Sequence, residues 1–175
     1  IPPILTMADL TAAYQLPSTW RVLIIGDGSG TGWRQGIGWS GIIFDRSLSL
    51  WHTTVGGQNY GTIMAAEILA FMMPLRWHRS IMTDSAHELV QLDIFSDNQA
   101  VVNIGNRAAE DHACQDLWAA VRTLIGDRYD ARFHYVDRPI VVHNLVDQLS
   151  VEARTDIERR FAGDSLPSAA EFLPP

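Results

Sequence analysis

Short apolar runs closed by glycine, proline or aspartate punctuate the chain, and their lengths separate strands from helices. Residues 21–26 (RVLIIG) have strand length and lead into Asp27-Gly28-Ser29-Gly30, so a buried strand is expected to stop at a polar loop. Residues 36–44 (GIGWSGIIF) and 48–55 (LSLWHTTV) flank Asp45-Arg46-Ser47, which reads as a hairpin turn and makes the first three strands an antiparallel meander. Helix formers dominate residues 61–77, where Pro74 is expected to bend or end the helix near its C-terminal end. Residues 91–96 (QLDIFS) read as a strand entering Asp97, and residues 98–106 as a short helix whose end Gly105 marks. A helix over 113–125, a strand over 131–136 (ARFHYV), a break at Arg138-Pro139 and a charged helix over 143–160 complete the order.

Three strands, a helix, a strand, one or two helices, a strand and a helix fit an α/β fold, a mixed sheet with helices on its faces. Residues 1–19, with Pro2, Pro3 and Pro17, read as an N-terminal arm or linker with one short helical turn; 20–161 form the domain, and 162–175 a C-terminal tail. At 175 residues, 47% hydrophobic and a mean hydropathy of +0.01, the chain has the size of one domain with a sizeable core. No run approaches the roughly 18–20 apolar residues of a membrane span, and no secretory leader pattern opens the chain. An intracellular setting, cytoplasmic or nuclear, is expected. The first residue is Ile1 rather than methionine, which suggests a piece of a larger protein.

Chemistry narrows the picture. A single cysteine, Cys114, excludes an internal disulfide and a thiolate metal cage. A net charge of −7 argues against a wide basic surface for nucleic acid. All 13 cationic side chains are arginines, which suits bidentate phosphate contacts but is explained more simply by genomic base composition. Four carboxylates stand out by position: Asp27 at the end of the first strand, Asp97 at the end of the fourth, Glu67 on the first long helix and Asp147 near the start of the last. Adjacent strand ends in an open α/β sheet are where ligands bind. Converging carboxylates repel unless divalent cations lie between them, and hard oxygen ligands suit Mg2+ or Mn2+. Each also has an ordinary reading: a turn aspartate at Asp27, an exposed helical glutamate at Glu67, a helix N-cap at Asp97 and a favourable first-turn acid at Asp147.

Four segments in this order resemble the ribonuclease H superfamily of type 1, closest to retroelement (LINE-type, reverse-transcriptase-associated) and plant-type domains. They are IIGDGSGTG, GTIMAAEILAF, IFSDNQAVVNI and HNLVDQLSVEA. The resemblance implies a five-stranded mixed sheet, three antiparallel strands then two parallel, with helices on both faces. It implies Asp27, Glu67, Asp97 and Asp147 as catalytic metal ligands for two Mg2+ ions, with Mn2+ substituting. The reaction would be endonucleolytic hydrolysis of the RNA strand of an RNA–DNA hybrid, leaving a 5′-phosphate and a 3′-hydroxyl, within a larger reverse-transcriptase-type polyprotein. Gly28, Ser29, Asn98 and Gln99 match positions near the substrate in that family.

The chain departs from the family pattern in places. Ile63 and Met64 stand where many cellular members carry paired asparagines, with Gln58 and Asn59 further upstream. Arg138 or His143 stands near the place of the mobile histidine, and both are candidate nucleic-acid contacts by that resemblance. Asn144 lies three residues before Asp147, and His143 fills the slot four before, where the family usually has asparagine. Residues 103–113 (NIGNRAAEDHA) lack a basic handle. These departures leave open a catalytically weakened binding or scaffold domain, or another nuclease of the same superfold. The six histidines form no zinc-ligand spacing and read as ordinary surface or loop residues. Trp33 and Trp39 could stack on bases, with core packing the simpler reading for Trp39. Trp20, Trp51, Trp77 and Trp118 are expected to be buried.

Overall fold

The computed structural model describes residues 6–30, 35–82, 88–137 and 141–161. Its elements run α1 (Met7–Ala13), β1 (Val22–Gly30), β2 (Gln35–Asp45), β3 (Leu50–Gly61), α2 (Ile63–Ile81), β4 (Val90–Ser96), α3 (Gln99–Gly105), α4 (Gln115–Ile125), β5 (Tyr129–Tyr135) and α5 (Val141–Phe161). One sheet holds all five strands in the order β3-β2-β1-β4-β5. The β1–β2 and β2–β3 pairings are antiparallel; β1–β4 and β4–β5 are parallel. This is the expected mixed sheet.

Strand alternation sorts the core into two layers. Val22 and Ile24 of β1 face one way, joining Leu92, Ile94, Ile68, Phe71, Val101 and Trp118 under α2, α3 and α4. Leu23 and Ile25 face the other way, joining Leu10, Tyr14, Phe44, Phe95, Val142 and Val146 under α1 and α5. Parallel strands covered on both faces read as continuous apolar runs, and for that reason β1 and β4 are recognisable in the sequence. Residues 6–19, expected as an arm with one helical turn, carry α1, whose start Thr6 and Asp9 close with a reciprocal capping box. Leu10, Tyr14 and Leu16 from this segment are buried in the core.

Several boundaries differ from the expectation. β1 does not stop before Asp27 but continues through Gly30, because β2 still pairs with it: Asp27 lies opposite Ser40 and Gly30 opposite Ile37. The hairpin turn spans 46–49, with Ser49 at φ 50°, and β3 extends past Val55 to Gly61. Pro74 does not end α2, which runs on to Ile81. The carbonyl that Pro74 leaves without a helical donor belongs to Ala70. It lies against Gly41, 1.9 Å from where a Cβ would sit, so the sheet supports the helix at its weak point. Cys114 is the N-cap residue of α4.

Two histidines expected on the surface are fully buried: His78 and His143. His78 Nε2 contacts Asp45 Oδ2 at 2.7 Å, and its Nδ1 contacts the Tyr129 hydroxyl at 2.7 Å. This triad joins the end of β2, the last turn of α2 and the start of β5. A buried polar group is tolerable only when satisfied in this way. Trp51, expected to be buried, is half exposed on edge strand β3, whereas Trp20, Trp39 and Trp118 are in the core. Trp33 lies outside the described residues. No helix among the described residues is long and apolar enough to cross a membrane.

Candidate metal centre

Parallel pairing places the C-terminal ends of β1 and β4 side by side. Ile25 is in register with Phe95, and two residues further on each strand stand Asp27 and Asp97. Asp27 shares the α5-facing side of β1 with Leu23 and Ile25 and has no accessible surface. Burial has kept it there because the strand continues past it, rather than ending at it. Asp97 follows β4 in a turn fixed by two hydrogen bonds: Asn98 N–H donates to Ser96 Oγ at 3.1 Å, and Val101 N–H donates to Asn98 Oδ1 at 3.2 Å. The N-cap of α3 is therefore Asn98, not Asp97. The Asp97 carboxylate projects from the turn with only 15% of its side chain exposed.

α5 completes this side. Gly38 of β2 and Gly57 of β3 have no side chains to hold it away: a Cβ on Gly38 would lie 2.1 Å from Ser150 O, and one on Gly57 2.6 Å from Ile157. The helix consequently lies close on the sheet, with Val142 and Val146 buried against Leu23, Ile25 and Phe95. His143 and Asp147 each follow one of these valines, four residues apart on one side of the helix. His143 is fully buried, with Nε2 3.8 Å from Asp97 Oδ2. Neither of its ring nitrogens has a hydrogen-bond partner among the described residues. One ligand atom each from Asp27, Asp97 and His143 lie within 4.8 Å of one another, a set that could hold a metal ion.

The backbone of Glu67 packs on β1 from the other face, and Glu67, like Asp147, stands outside the three-residue set. Its backbone nitrogen would be 2.5 Å from a Cβ on Gly28, as would the Ala66 carbonyl carbon. Gly28 is thus a packing glycine beneath α2, whatever else its backbone contacts. Ala66 and Ala70, four residues apart, settle over Gly28 and Gly26 and fix the depth of Glu67, which is only 6% exposed. The α2 N-terminus is set by Thr62, whose hydroxyl accepts the Ala65 N–H at 3.1 Å.

Among the remaining candidates, Ser29 is buried, Asn98 is occupied as the cap, and Gln99 is exposed and bonded to Asn103 Oδ1 at 2.9 Å. Asp147 is half-buried and stands outside the three-residue set. Arg138 lies outside the described residues. Two residues near the carboxylates were not anticipated in these roles. Ser40 is buried directly opposite Asp27, a fact that only the strand register reveals. His143 was expected as a nucleic-acid contact; its signal as a ligand was its unusual place four residues before Asp147.

No protein-family model matches the chain, and no curated protein matches it in sequence. Solved structures do match in fold. The N-terminal ribonuclease H domain of a Mycobacterium tuberculosis protein, fused to maltose-binding protein, superposes with a TM-score of 0.65 at 14% identity, covering 81% of this chain and 99% of that one. LC11-RNase H1 in complex with an RNA/DNA hybrid gives 0.64 at 16% identity, covering 78% and 98%. The foamy viral protease–reverse transcriptase in complex with double-stranded DNA gives 0.56 at 17% identity, covering 79% and 96%. The strand order, the strand directions and these likenesses define the ribonuclease H-like fold.

Proposed function

We propose that the chain is a metal-dependent endonuclease that hydrolyses the RNA strand of RNA–DNA hybrids inside the cell, as a domain of a larger retroelement or reverse-transcriptase-type protein. The observation that carries this reading is the convergence of Asp27, within β1 just past its parallel pairing with β4, and Asp97, just beyond the end of β4, with His143 beside them. Asp27 and Asp97 would hold the divalent cations, Mg2+ or Mn2+, with Glu67 from α2 and Asp147 from α5. Bound ions of this kind polarise a water and stabilise the leaving oxygen of a phosphodiester. The protein's own part is to fix the carboxylates on a rigid sheet and to exclude competing side chains from the strand ends. Structural neighbours that include a hybrid-bound ribonuclease H and a reverse transcriptase support the substrate and setting. Asn98, Gln99, Gly28 and Ser29 would line the RNA strand, with Arg138 available for phosphate.

The test is cleavage of end-labelled RNA–DNA hybrid, duplex RNA, duplex DNA and single strands with Mg2+, Mn2+ or EDTA. Internal cuts confined to the RNA of the hybrid and lost in EDTA are expected. Folded protein that cuts nothing under either metal would instead identify a binding domain.

A further inference from the structure

We infer that His143 is itself a metal ligand, so that the centre is a mixed carboxylate–imidazole site that selects Mn2+ over Mg2+. The inference rests on the nuclease reading for the presence of a cation and goes beyond it in assigning the ligand set. Three observations on His143 carry it.

First, the imidazole is completely buried, and neither nitrogen has a hydrogen-bond partner among the described residues. A buried ring without a partner gives up the hydrogen bonds that water would supply, and an ion shared with Asp97 would give it a partner. Second, the donor spacing fits. Metal–ligand bonds near 2.1 Å place two donors on one ion roughly 3 to 4.2 Å apart; His143 Nε2 and Asp97 Oδ2 are 3.8 Å apart. That separation is too long for a hydrogen bond and right for a bridging cation. All three ligand atoms lie within 4.8 Å of one another, so a movement of under about 1 Å would bring them onto one ion. Third, α5 is held against the sheet through Gly38 and Gly57, so the helix presents His143 at a fixed depth.

Mg2+ demands oxygen ligands in near-ideal octahedral geometry, whereas imidazole suits the transition metals, and Mn2+ accepts both donor types. A nitrogen donor at this position therefore shifts selectivity. The half-buried Asp147, one turn further along α5, becomes an outer carboxylate.

Two measurements on the full chain test this without reference to turnover. Pulsed electron paramagnetic resonance of the Mn2+-loaded protein should show 14N modulation from a directly coordinated imidazole, absent in His143→Asn. Calorimetric titration should show Mn2+ binding about tenfold weaker in His143→Asn, with Mg2+ affinity changed by less than about threefold. Asp27→Asn should abolish both Mn2+ and Mg2+ binding at this site. Mn2+ that binds in an Asp27-dependent manner but shows no nitrogen modulation would overturn the role of His143 and leave the nuclease reading standing. No Asp27-dependent binding of either metal would overturn both. If His143→Asn fails to fold, the modulation in the parent protein decides alone, with Asp27→Asn as its control for the exposed histidines.

Discussion

At the scale of single residues, the candidate centre is a problem in buried charge. Asp27 has no accessible surface and stands within metal-sharing distance of Asp97. Two carboxylates this close raise each other's cost of ionisation unless a cation lies between them. Asp27→Asn should therefore reduce metal-dependent hybrid cleavage by more than about 100-fold, since even groups that only support a ligand cost 10–100-fold when removed. In EDTA the same variant should melt at the parent's temperature or above it, because one source of repulsion is gone. A variant that cleaved like the parent would remove Asp27 from the chemistry. Asp147→Asn gives a graded comparison. Lying outside the closest set, it should lose activity only in the 10–100-fold range of a supporting group. Equal losses for the two variants would return Asp147 to the inner ligands.

At the scale of elements, the site depends on how closely α2 and α5 approach the sheet, and glycines set that approach. Gly28→Ala would place a Cβ 2.5 Å from the backbone of Ala66 and Glu67, so α2 must lift. The overpacking should cost about 1–3 kcal/mol in urea unfolding and, by displacing Glu67, weaken Mg2+ binding as well. Gly41→Ala lifts the same helix one turn further on, at Ala70 and Pro74, and should cost stability with a smaller effect on metal affinity. Equal metal affinities in parent and Gly28→Ala would show that Glu67 takes no part in binding. These glycines also explain what the sequence conceals. Gly28 and Gly30 read as a polar loop, and Gly56 and Gly57 as the end of a strand, because periodicity registers side chains and a glycine has none. In the sheet they continue the ladder, and the missing side chains of Gly28, Gly30 and Gly57 are where helices press down, while that of Gly56 makes room for the Trp39 ring. The apolar runs of β1 and β4 are legible because both faces of these central strands are covered. The order of elements follows from them, and so do the places of Asp27, Glu67 and Asp97. The ligand role of His143 is not legible, since it depends on the depth at which α5 sits and on the register that brings Asp97 beneath it.

For the molecule as a whole, the sheet has two chemically distinct ends. One gathers Asp27, Asp97 and His143; at the other, Asp45, opposite Val22, meets His78 and Tyr129. Five residues of β1 separate Asp27 from Val22, roughly 17 Å along the strand. Burial by itself would raise the Asp45 pKa, but the hydrogen bonds from His78, from the Ser47 hydroxyl and from the Leu48 N–H outweigh it, and the value is lowered. A carboxylate with a depressed folded pKa contributes stability that is fully present above its unfolded value, about 3.9, and is lost as pH falls through the folded one. The far end of the sheet should therefore loosen in acid below about pH 4. Asp45→Asn should lower the unfolding free energy measured in urea at neutral pH by about 3–5 kcal/mol, the cost of breaking a buried pair, and flatten the fall in stability below about pH 4 relative to the parent. Tyr129→Phe, which keeps the carboxylate and its His78 partner, should cost only about 1 kcal/mol and leave the acid limb in place. Neither substitution touches the strand ends that hold Asp27 and Asp97, so Mn2+ affinity of the folded variants should equal the parent's. An Asp45→Asn protein with undiminished acid sensitivity would locate the pH response elsewhere, and one with altered Mn2+ affinity would show that the two ends of the sheet are coupled through β1.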